Sequence, residues 1–348
     1  MKAITVVPGE PERVEVREVP EPAPEEGALV VEGHLPGVCG TNIDIVKGGY
    51  GEPPPGQDRL VVGHESLEVV LEAPDGSGFS AGDPVAGIVR RPDPVPCEPC
   101  SHGEWDFCRN GQYTERGIKG RNGYGAERWR IEPDYAIRLD PGLGDCEVLL
   151  EPPSVLAKAW EQTDRIFNRA SWKPEVALVT GAGPIGLLAA LLGIQRGLEA
   201  HVLDLHGKGP KPDLVDDLSA TFHAGDVQDI ELEPDVVIEC TGAGPLVFSL
   251  TSVVGPNSVI CLAGISSGSR KIPVGLDELN KEMVLENLVV FGSVNAGRRK
   301  YQQAADALAK ADRSWLERLI TRRVPMDEYT DALHKTPDDV KVVVDLRA

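Results

Sequence analysis

The sequence has no apolar run approaching the ~18–20 residues that a membrane span requires. Its longest, Leu187 to Ile194, suits a short buried helix. The opening stretch MKAITVVPGE lacks both the apolar core and the small-residue cleavage site of a secretion signal. It reads as a first strand, and a cytoplasmic protein is expected. Basic residues are scarce: 35 Lys and Arg stand against 55 Asp and Glu, a formal charge of −20. That balance argues against nucleic acid or an anionic membrane as a partner. The acids are scattered, as in Glu10, Glu12, Glu15, Glu18, Glu21, Glu25 and Glu26, which fits a solvated face. Adaptation to a salty cytoplasm and an ordinary acidic surface explain it equally well. There is no internal repeat and no low-complexity segment. An even set of cysteines is also missing: with seven and no secretion signal, a disulfide framework is not expected. Cys146, Cys240 and Cys261 lie in or beside apolar runs and read as small buried hydrophobes.

What is present suits a two-domain globular chain. A length of 348 residues exceeds what one core usually serves, and 41% hydrophobic content with 38 glycines fits a turn-rich protein with much β structure. From Lys2 to about Leu150, short β-like runs dominate: Ala3–Val7, Arg13–Val19, Ala28–Glu32, Leu60–Val62, Leu67–Glu72 and Val85–Val89. Gly/Pro clusters separate them, which points to a small barrel or sandwich. A helix from Pro153 to Phe167 follows, and then strand and helix alternate through Ala200–Leu205, Leu214–Leu218, Asp235–Cys240, Ser258–Ala263 and Leu288–Phe291. Such alternation predicts a parallel sheet covered by helices. The tail reads as helices at Tyr301–Lys310 and Trp315–Leu319 and a strand at Lys341–Leu346, which is expected to rejoin the first domain.

The most informative stretch is Val176 to Ala190, VALVTGAGPIGLLAA. A buried strand leads into Gly181-Ala-Gly183-Pro184-Ile185-Gly186, a G-x-G-x-x-G that opens an apolar helix. The first glycine permits the tight turn, the second lets backbone approach a pyrophosphate, and the third lets helix lie close on strand. A lone motif of this kind also occurs in plain strand–helix corners, but here it has the flanking strand and helix that dinucleotide binding requires. Asp204 ends the next strand about twenty residues on, where a carboxylate accepts hydrogen bonds from the adenosine ribose and repels a 2′-phosphate. The bland alternative is a strand-end acid. Asp204 predicts NAD as the preferred cofactor, with NADP tolerated through Lys208.

Three further residues have the chemistry of zinc ligands: Cys39 in Val38-Cys-Gly-Thr41, His64 and Glu65 in Gly63-His-Glu, with Glu151 in Leu149-Leu-Glu-Pro152 as a fourth. Singly each is weak, since a lone cysteine is usually core and a His–Glu pair usually surface. Together with the downstream fingerprint, the chain resembles the zinc-dependent medium-chain dehydrogenase/reductase superfamily. Gln112-Tyr-Thr-Glu115-Arg-Gly-Ile118, Leu150-Glu-Pro152 and Phe291-Gly-Ser-Val-Asn295-Ala resemble its glucose 1-dehydrogenase branch.

That resemblance implies an α/β fold: a GroES-like β-barrel catalytic domain over residues 1–152, a Rossmann doubly wound parallel-sheet domain over 153–296, and a return to the catalytic domain over 297–348. It implies Cys39 and His64 as catalytic zinc ligands, Glu65 as a ligand or close support, and Glu151 at both zinc and sugar. Thr41 matches the hydroxyl that relays the proton of the reacting alcohol. Many relatives continue the relay through a histidine where this chain has Asp44. Glu115 and Asn295 match positions that hold sugar hydroxyls. Around the cofactor it adds His206, Thr241 and Asn295 to the fingerprint residues and Asp204. The implied reaction is oxidation of a pyranose at its anomeric carbon to the lactone, with hydride passing to NAD(P) and zinc acting as Lewis acid.

The same family carries a structural zinc lobe with four cysteines. Here Cys97, Cys100 and Cys108 give C-x₂-C-x₇-C, and the place of the missing first cysteine falls on Pro94, which cannot ligate. Asp93 is the favoured fourth ligand, with His102 the other candidate, and the alternative is a vestigial loop of three reduced thiols. Two rival functions stay open. One is a zinc dehydrogenase of the superfamily acting on a polyol, an amino alcohol or another sugar alcohol. The other is a non-catalytic NAD-binding protein. A homodimer or homotetramer is expected from the family, built by sheet extension between Rossmann domains.

Overall fold

The computed structural model describes residues 1–266 and 268–348. The chain divides into two compact units, Met1–Ser154 with Asn295–Ala348, and Val155–Val294.

The first unit is built around the strand Leu29–Val38. It pairs antiparallel with Glu65–Glu72, with Arg128–Ile131 and, at its far end, with Lys341–Asp345 (Val342 opposite Val38). Lys341–Asp345 in turn pairs in parallel with Ile320–Pro325. Two smaller sheets complete the unit: Glu10–Glu18, Lys2–Val7 and Leu60–Val61 in one, and Arg90–Arg91, Thr114–Arg116 and Gly120–Arg121 in the other. Period-two alternation in Leu29-Val30-Val31 sends Leu29 and Val31 inward against Val70, Val85, Trp129 and Ile131. A second cluster gathers Ile4, Val6, Val38, Ile45, Leu60 and Val62 with Val342 and Val344, so the last strand contributes to the core of the first. The long strand runs past Glu32, where the apolar pattern ends, through Gly33 and Pro36. Both residues usually stop a strand, but a register shift between Gly33 and Leu35 absorbs the irregularity.

The second unit is a six-stranded sheet, all parallel, in the order Thr221–Ala224, Glu199–Asp204, Val176–Thr180, Val236–Glu239, Val259–Leu262, Val289–Gly292. Numbered along the chain, that is 3-2-1-4-5-6, the doubly wound order whose switch point lies between Val176–Thr180 and Val236–Glu239. The helix Pro184–Ile194 has no polar face, because it is buried from Gly186 to Gly193. Trp160 packs on it, its Nε1 donating to the Ala189 carbonyl at 3.2 Å. The strand Thr221–Ala224 has no apolar repeat to announce it, since an edge position leaves its residues exposed or half-buried. At the other edge, Val289–Gly292 and the helix Leu276–Leu285 contain no fully buried residue. Leu276, Val284 and Leu285 on that helix are exposed. Among the described residues no helix is long and apolar enough to cross a membrane.

Candidate active site

The helix Gly40–Val46 follows the strand Leu29–Val38 directly and leaves Cys39 at the junction, where Asn42 Oδ1 accepts the Cys39 N–H at 3.0 Å. His64 lies in the turn between Leu60–Val61 and Glu65–Glu72. Strand pairing sets Gly37 opposite Glu65, which brings the two segments together. The ligand atoms of Cys39, His64 and Glu65 consequently all lie within 4.8 Å of one another. Cys39 Sγ is 3.1 Å from His64 Nε2. Two ligands bonded to one zinc at ~2.3 Å and ~2.0 Å lie roughly 3.5 Å apart, so a few tenths of an ångström of opening admits the ion. Burial lowers the His64 pKa and keeps the imidazole neutral, the form that ligates. Thiolate, imidazole and carboxylate together fit zinc.

Glu65 is not free to serve as a simple third ligand. The Lys341 ammonium, from the last strand and fully buried, holds its Oε2. Burial pulls Lys341 down to about 8, and the Cys39 thiol opposes that shift. Sequence reasoning found the strand but not this lysine, because the partners are 276 residues apart. Glu151 begins the helix Glu151–Phe167, and its carboxyl is pushed up to about 7 by burial and by its neighbours Cys39 and Glu115, against the opposing pull of His64. It stands near the cluster without joining the three that converge. Thr41 and Asp44 are half-buried and three residues apart on the Gly40–Val46 helix, so they share one face.

A second polar group surrounds Glu115. The pairing of Arg90–Arg91 with Thr114–Arg116 sets Arg90 opposite Glu115. Glu115 Oε1 accepts from Arg90 Nε at 3.0 Å and from Asn295 Nδ2 at 2.8 Å, with Arg90 Nη2 at 2.9 Å. Asn295 sits at φ +61°, a left-handed conformation that asparagine tolerates, and its Oδ1 accepts the Ala296 N–H at 2.8 Å. Arg90 lies 3.7 Å above the centre of the Tyr113 ring. All of Glu115, Asn295 and Arg90 are buried. Sequence reasoning named the first two and missed Arg90, which directly follows the run Val85–Val89.

In the second unit the glycine turn has the shape its sequence predicts. Gly181 is at φ +91°, and its N–H donates to the Leu203 carbonyl at 2.6 Å. A Cβ on Gly186 would stand 1.7 Å from the Gly181 carbonyl oxygen, whereas a Cβ on Gly183 would meet nothing within 4 Å. The third glycine is thus needed by the fold, and the second leaves open the space a phosphate would use. Pro184 and Ile185 form the first turn of the helix, half-buried. Asp204 Oδ2 accepts the Ala182 N–H at 2.9 Å and pairs with Lys211 Nζ at 3.0 Å. Burial would raise its pKa, but those donors hold it below the ordinary value, so it is ionised. The His206 N–H lies 3.3 Å from Asp204 Oδ1 while its residue is exposed. At the switch point, fully buried Glu239 receives the N–H of Thr241 at 2.6 Å, that of Gly242 at 3.0 Å, and the Thr241 hydroxyl. Glu239, which positions Thr241, was missed, although an acid ending an apolar strand is a readable signal.

In the lobe, the thiols of Cys97, Cys100 and Cys108 converge within 4.8 Å, with Cys97 and Cys100 Sγ 3.5 Å apart. The Arg109 N–H lowers the Cys97 pKa to about 7, while burial raises Cys100 to about 11. Asp93 is buried beside them, its Oδ1 accepting the Val95 N–H at 2.8 Å and its Oδ2 without a partner, but it is not in the converging group. His102 is exposed and hydrogen-bonds the Glu98 carbonyl at 2.8 Å through Nδ1.

Residues 144–346 match the family model described as glucose dehydrogenase C-terminus. Over the whole of both chains, the sequence is 36% identical to glucose 1-dehydrogenase of Methanocella arvoryzae and 37% identical to that of Thermoproteus tenax. The solved structure of Haloferax mediterranei glucose dehydrogenase in complex with NADP, Zn and gluconolactone superposes with a TM-score of 0.92 at 31% identity, covering 100% of each chain. The converging Cys–His–Glu group, the doubly wound sheet with its glycine turn, and this full-length similarity place the chain in the glucose dehydrogenase branch of the zinc-dependent medium-chain dehydrogenase/reductase superfamily.

Proposed function

We propose that this protein oxidises a glucose-type aldopyranose at its anomeric carbon to the lactone, with hydride transfer to NAD in preference to NADP. The observation that carries the reading is the convergence of Cys39, His64 and Glu65 in a chain that also has the Gly181–Gly186 turn. Held by Cys39 and His64, with Glu65 and Glu151 beside them, zinc would supply a Lewis acid to the C1 hydroxyl. Thr41, with Asp44 on the same helix face, takes the hydroxyl proton outward. Glu115, fixed by Arg90 and Asn295 through Oε1, presents the rest of its carboxylate to a sugar hydroxyl. A pocket built to pair hydroxyls disfavours analogues without them, because its own groups are then left unpaired. Asp204 receives the adenosine ribose, and the Gly181, Gly183 and Gly186 turn the pyrophosphate, with Pro184, Ile185, His206 and Thr241 around it.

The Haloferax complex holds NADP. Here the ionised Asp204 favours a free 2′-hydroxyl, and tolerance for the phosphate rests on the exposed Lys208, since Lys211 is already paired with Asp204. We further infer a bound lobe zinc held by Cys97, Cys100 and Cys108 with Asp93 as the favoured fourth ligand, supported by the partnerless Asp93 Oδ2. A cytoplasmic homodimer or homotetramer is the accompanying reading. The unpaired edge of Val289–Gly292 and the exposed Leu276, Val284 and Leu285 support sheet extension.

A panel of D-glucose, D-galactose, D-xylose, sorbitol, L-threonine and ethanol, each with NAD and with NADP, tests the reading at 340 nm. An aldose is expected to exceed sorbitol by ~100-fold in kcat/KM. Sorbitol as the best substrate would favour the polyol reading, and a strong NADP preference would sink the role given to Asp204.

A further inference from the structure

The loop between the helix Gly40–Val46 and the strand Leu60–Val61 carries an aromatic side chain, Tyr50, that the site as described does not use. It is 49% exposed. The nearby Tyr113 ring is taken up by cations, Arg90 at 3.7 Å and Lys119 Nζ at 4.4 Å, whereas Tyr50 has no such cation over it among the described residues. A single exposed aromatic ring is ordinary on a protein surface. Two observations set this one apart.

The first is how its backbone is held. Before Tyr50, the Gly48 and Gly49 N–H groups donate to the carbonyls of Ile45 and Asp44 at 3.1 and 2.9 Å, which ties the loop to the helix carrying Thr41 and Asp44. After it, the Glu52 N–H donates to the Ile118 carbonyl and the Glu52 carbonyl accepts the Gly120 N–H, each at 2.8 Å. That ties the loop to the segment just beyond Glu115. Gly48 at φ +79° and Gly51 at φ +100° let the chain turn on either side. Tyr50 is therefore fixed between the proton-relay helix and the Glu115 strand. The second observation is the charge around it. Burial of its inner half pushes the Tyr50 hydroxyl pKa up, the Glu115 carboxylate and Tyr113 push it further, and the Arg90 guanidinium opposes them. Its polar end thus lies in the field of the group that holds Glu115, while the rest of the ring stays open.

We propose that Tyr50 is a substrate-contacting, specificity-determining residue whose ring covers a C–H face of the pyranose while Glu115 pairs with a hydroxyl at its edge. The inference rests on the aldose function proposed above and adds a residue to it. A pyranose carries its hydroxyls around the rim and C–H bonds on its faces, so it calls for polar groups at the edge and an apolar surface against the face. Glu115 and Asn295 supply only the first of these. An aromatic ring with a polar end supplies the second at low entropic cost, because a loop bonded on both sides has little order left to gain.

Zinc-loaded wild type, Tyr50→Ala and Tyr50→Phe are compared in steady-state oxidation of D-glucose and D-xylose with NAD. Tyr50→Ala is expected to raise KM for both sugars about tenfold with kcat changed less than about twofold, the pattern of a contact made equally in ground and transition states. Tyr50→Phe keeps the ring and is expected to stay within about twofold of the wild type in KM. KM for NAD, zinc content and Tm are expected to be the same in all three proteins, which a role in holding the fold or the metal would not allow. An unchanged sugar KM in Tyr50→Ala, a Tyr50→Phe protein as impaired as Tyr50→Ala, or a loss of zinc in either would overturn the role given to Tyr50. Failure of the aldose function itself shows separately, as a wild type that oxidises neither sugar, and that result would overturn both.

Discussion

Replacing Cys39 with serine is expected to remove one equivalent of zinc per chain and to lower kcat/KM by about 10³-fold or more. The substitution is nearly isosteric at a half-buried position, so the fold is retained. What changes is the donor: a serine hydroxyl does not ionise near neutrality, and its harder, shorter arm cannot replace a thiolate standing 3.1 Å from His64 Nε2. Lewis-acid assistance contributes several kcal/mol of barrier lowering, and each ~1.4 kcal/mol is tenfold in rate. NADH binding, followed by fluorescence, is expected to be unaffected because the glycine turn belongs to the other unit. Zinc analysis, circular dichroism and steady-state kinetics check the three parts. Unchanged zinc content with unchanged NAD reduction would refute the assignment of Cys39.

The second large effect is expected at Gly186. A methyl group there would sit 1.7 Å from the Gly181 carbonyl oxygen, and that atom is backbone in the tightest part of the turn. The helix Pro184–Ile194 would have to lift from its strand, breaking the packing of an apolar face that is buried from Gly186 to Gly193. Overpacking of this kind costs about 3 kcal/mol, a fall of roughly 10 °C in Tm for a unit of this size. Cofactor affinity falls with it. Gly183→Ala makes the contrasting control. Its Cβ meets no protein atom within 4 Å, so Tm is preserved, but it occupies the approach expected of the pyrophosphate, and NAD affinity drops. Thermal melts and NADH titration separate the two glycines. A Gly186→Ala protein as stable as the wild type would contradict the geometry of the turn.

These two positions also show what could be read from the chain alone. The glycine turn, its strand and Asp204 lie within thirty residues of one another, and local spacing carries their meaning. Cys39, His64 and Glu151 had to be assembled from separate stretches, and residue chemistry together with family resemblance sufficed to name them. What stayed hidden were the partners that orient these groups. Lys341 reaches Glu65 only because the last strand pairs with Leu29–Val38. Arg90 reaches Glu115 because a two-residue strand sets them opposite each other. Glu239 supports Thr241 from the end of a strand that otherwise reads as continuous apolar core. A charge is ordinarily placed outside when a sequence is read, and each of these three is buried with a specific donor or acceptor to compensate it, across the fold for Lys341 and Arg90 and in the following turn for Glu239. The edge elements were equally silent. Thr221–Ala224 and Leu276–Leu285 bury too little to impose an apolar repeat.

Transfer of hydride from the anomeric carbon of an aldose to the nicotinamide is the step on which the proposed function rests. It is tested most directly with β-D-[1-²H]glucose and NAD on the zinc-loaded protein, with the products followed by NMR. Deuterium is expected at C4 of the reduced nicotinamide, with the glucono-lactone as the sugar product. Reduced nicotinamide formed without deuterium would contradict it, as would oxidation at any other carbon.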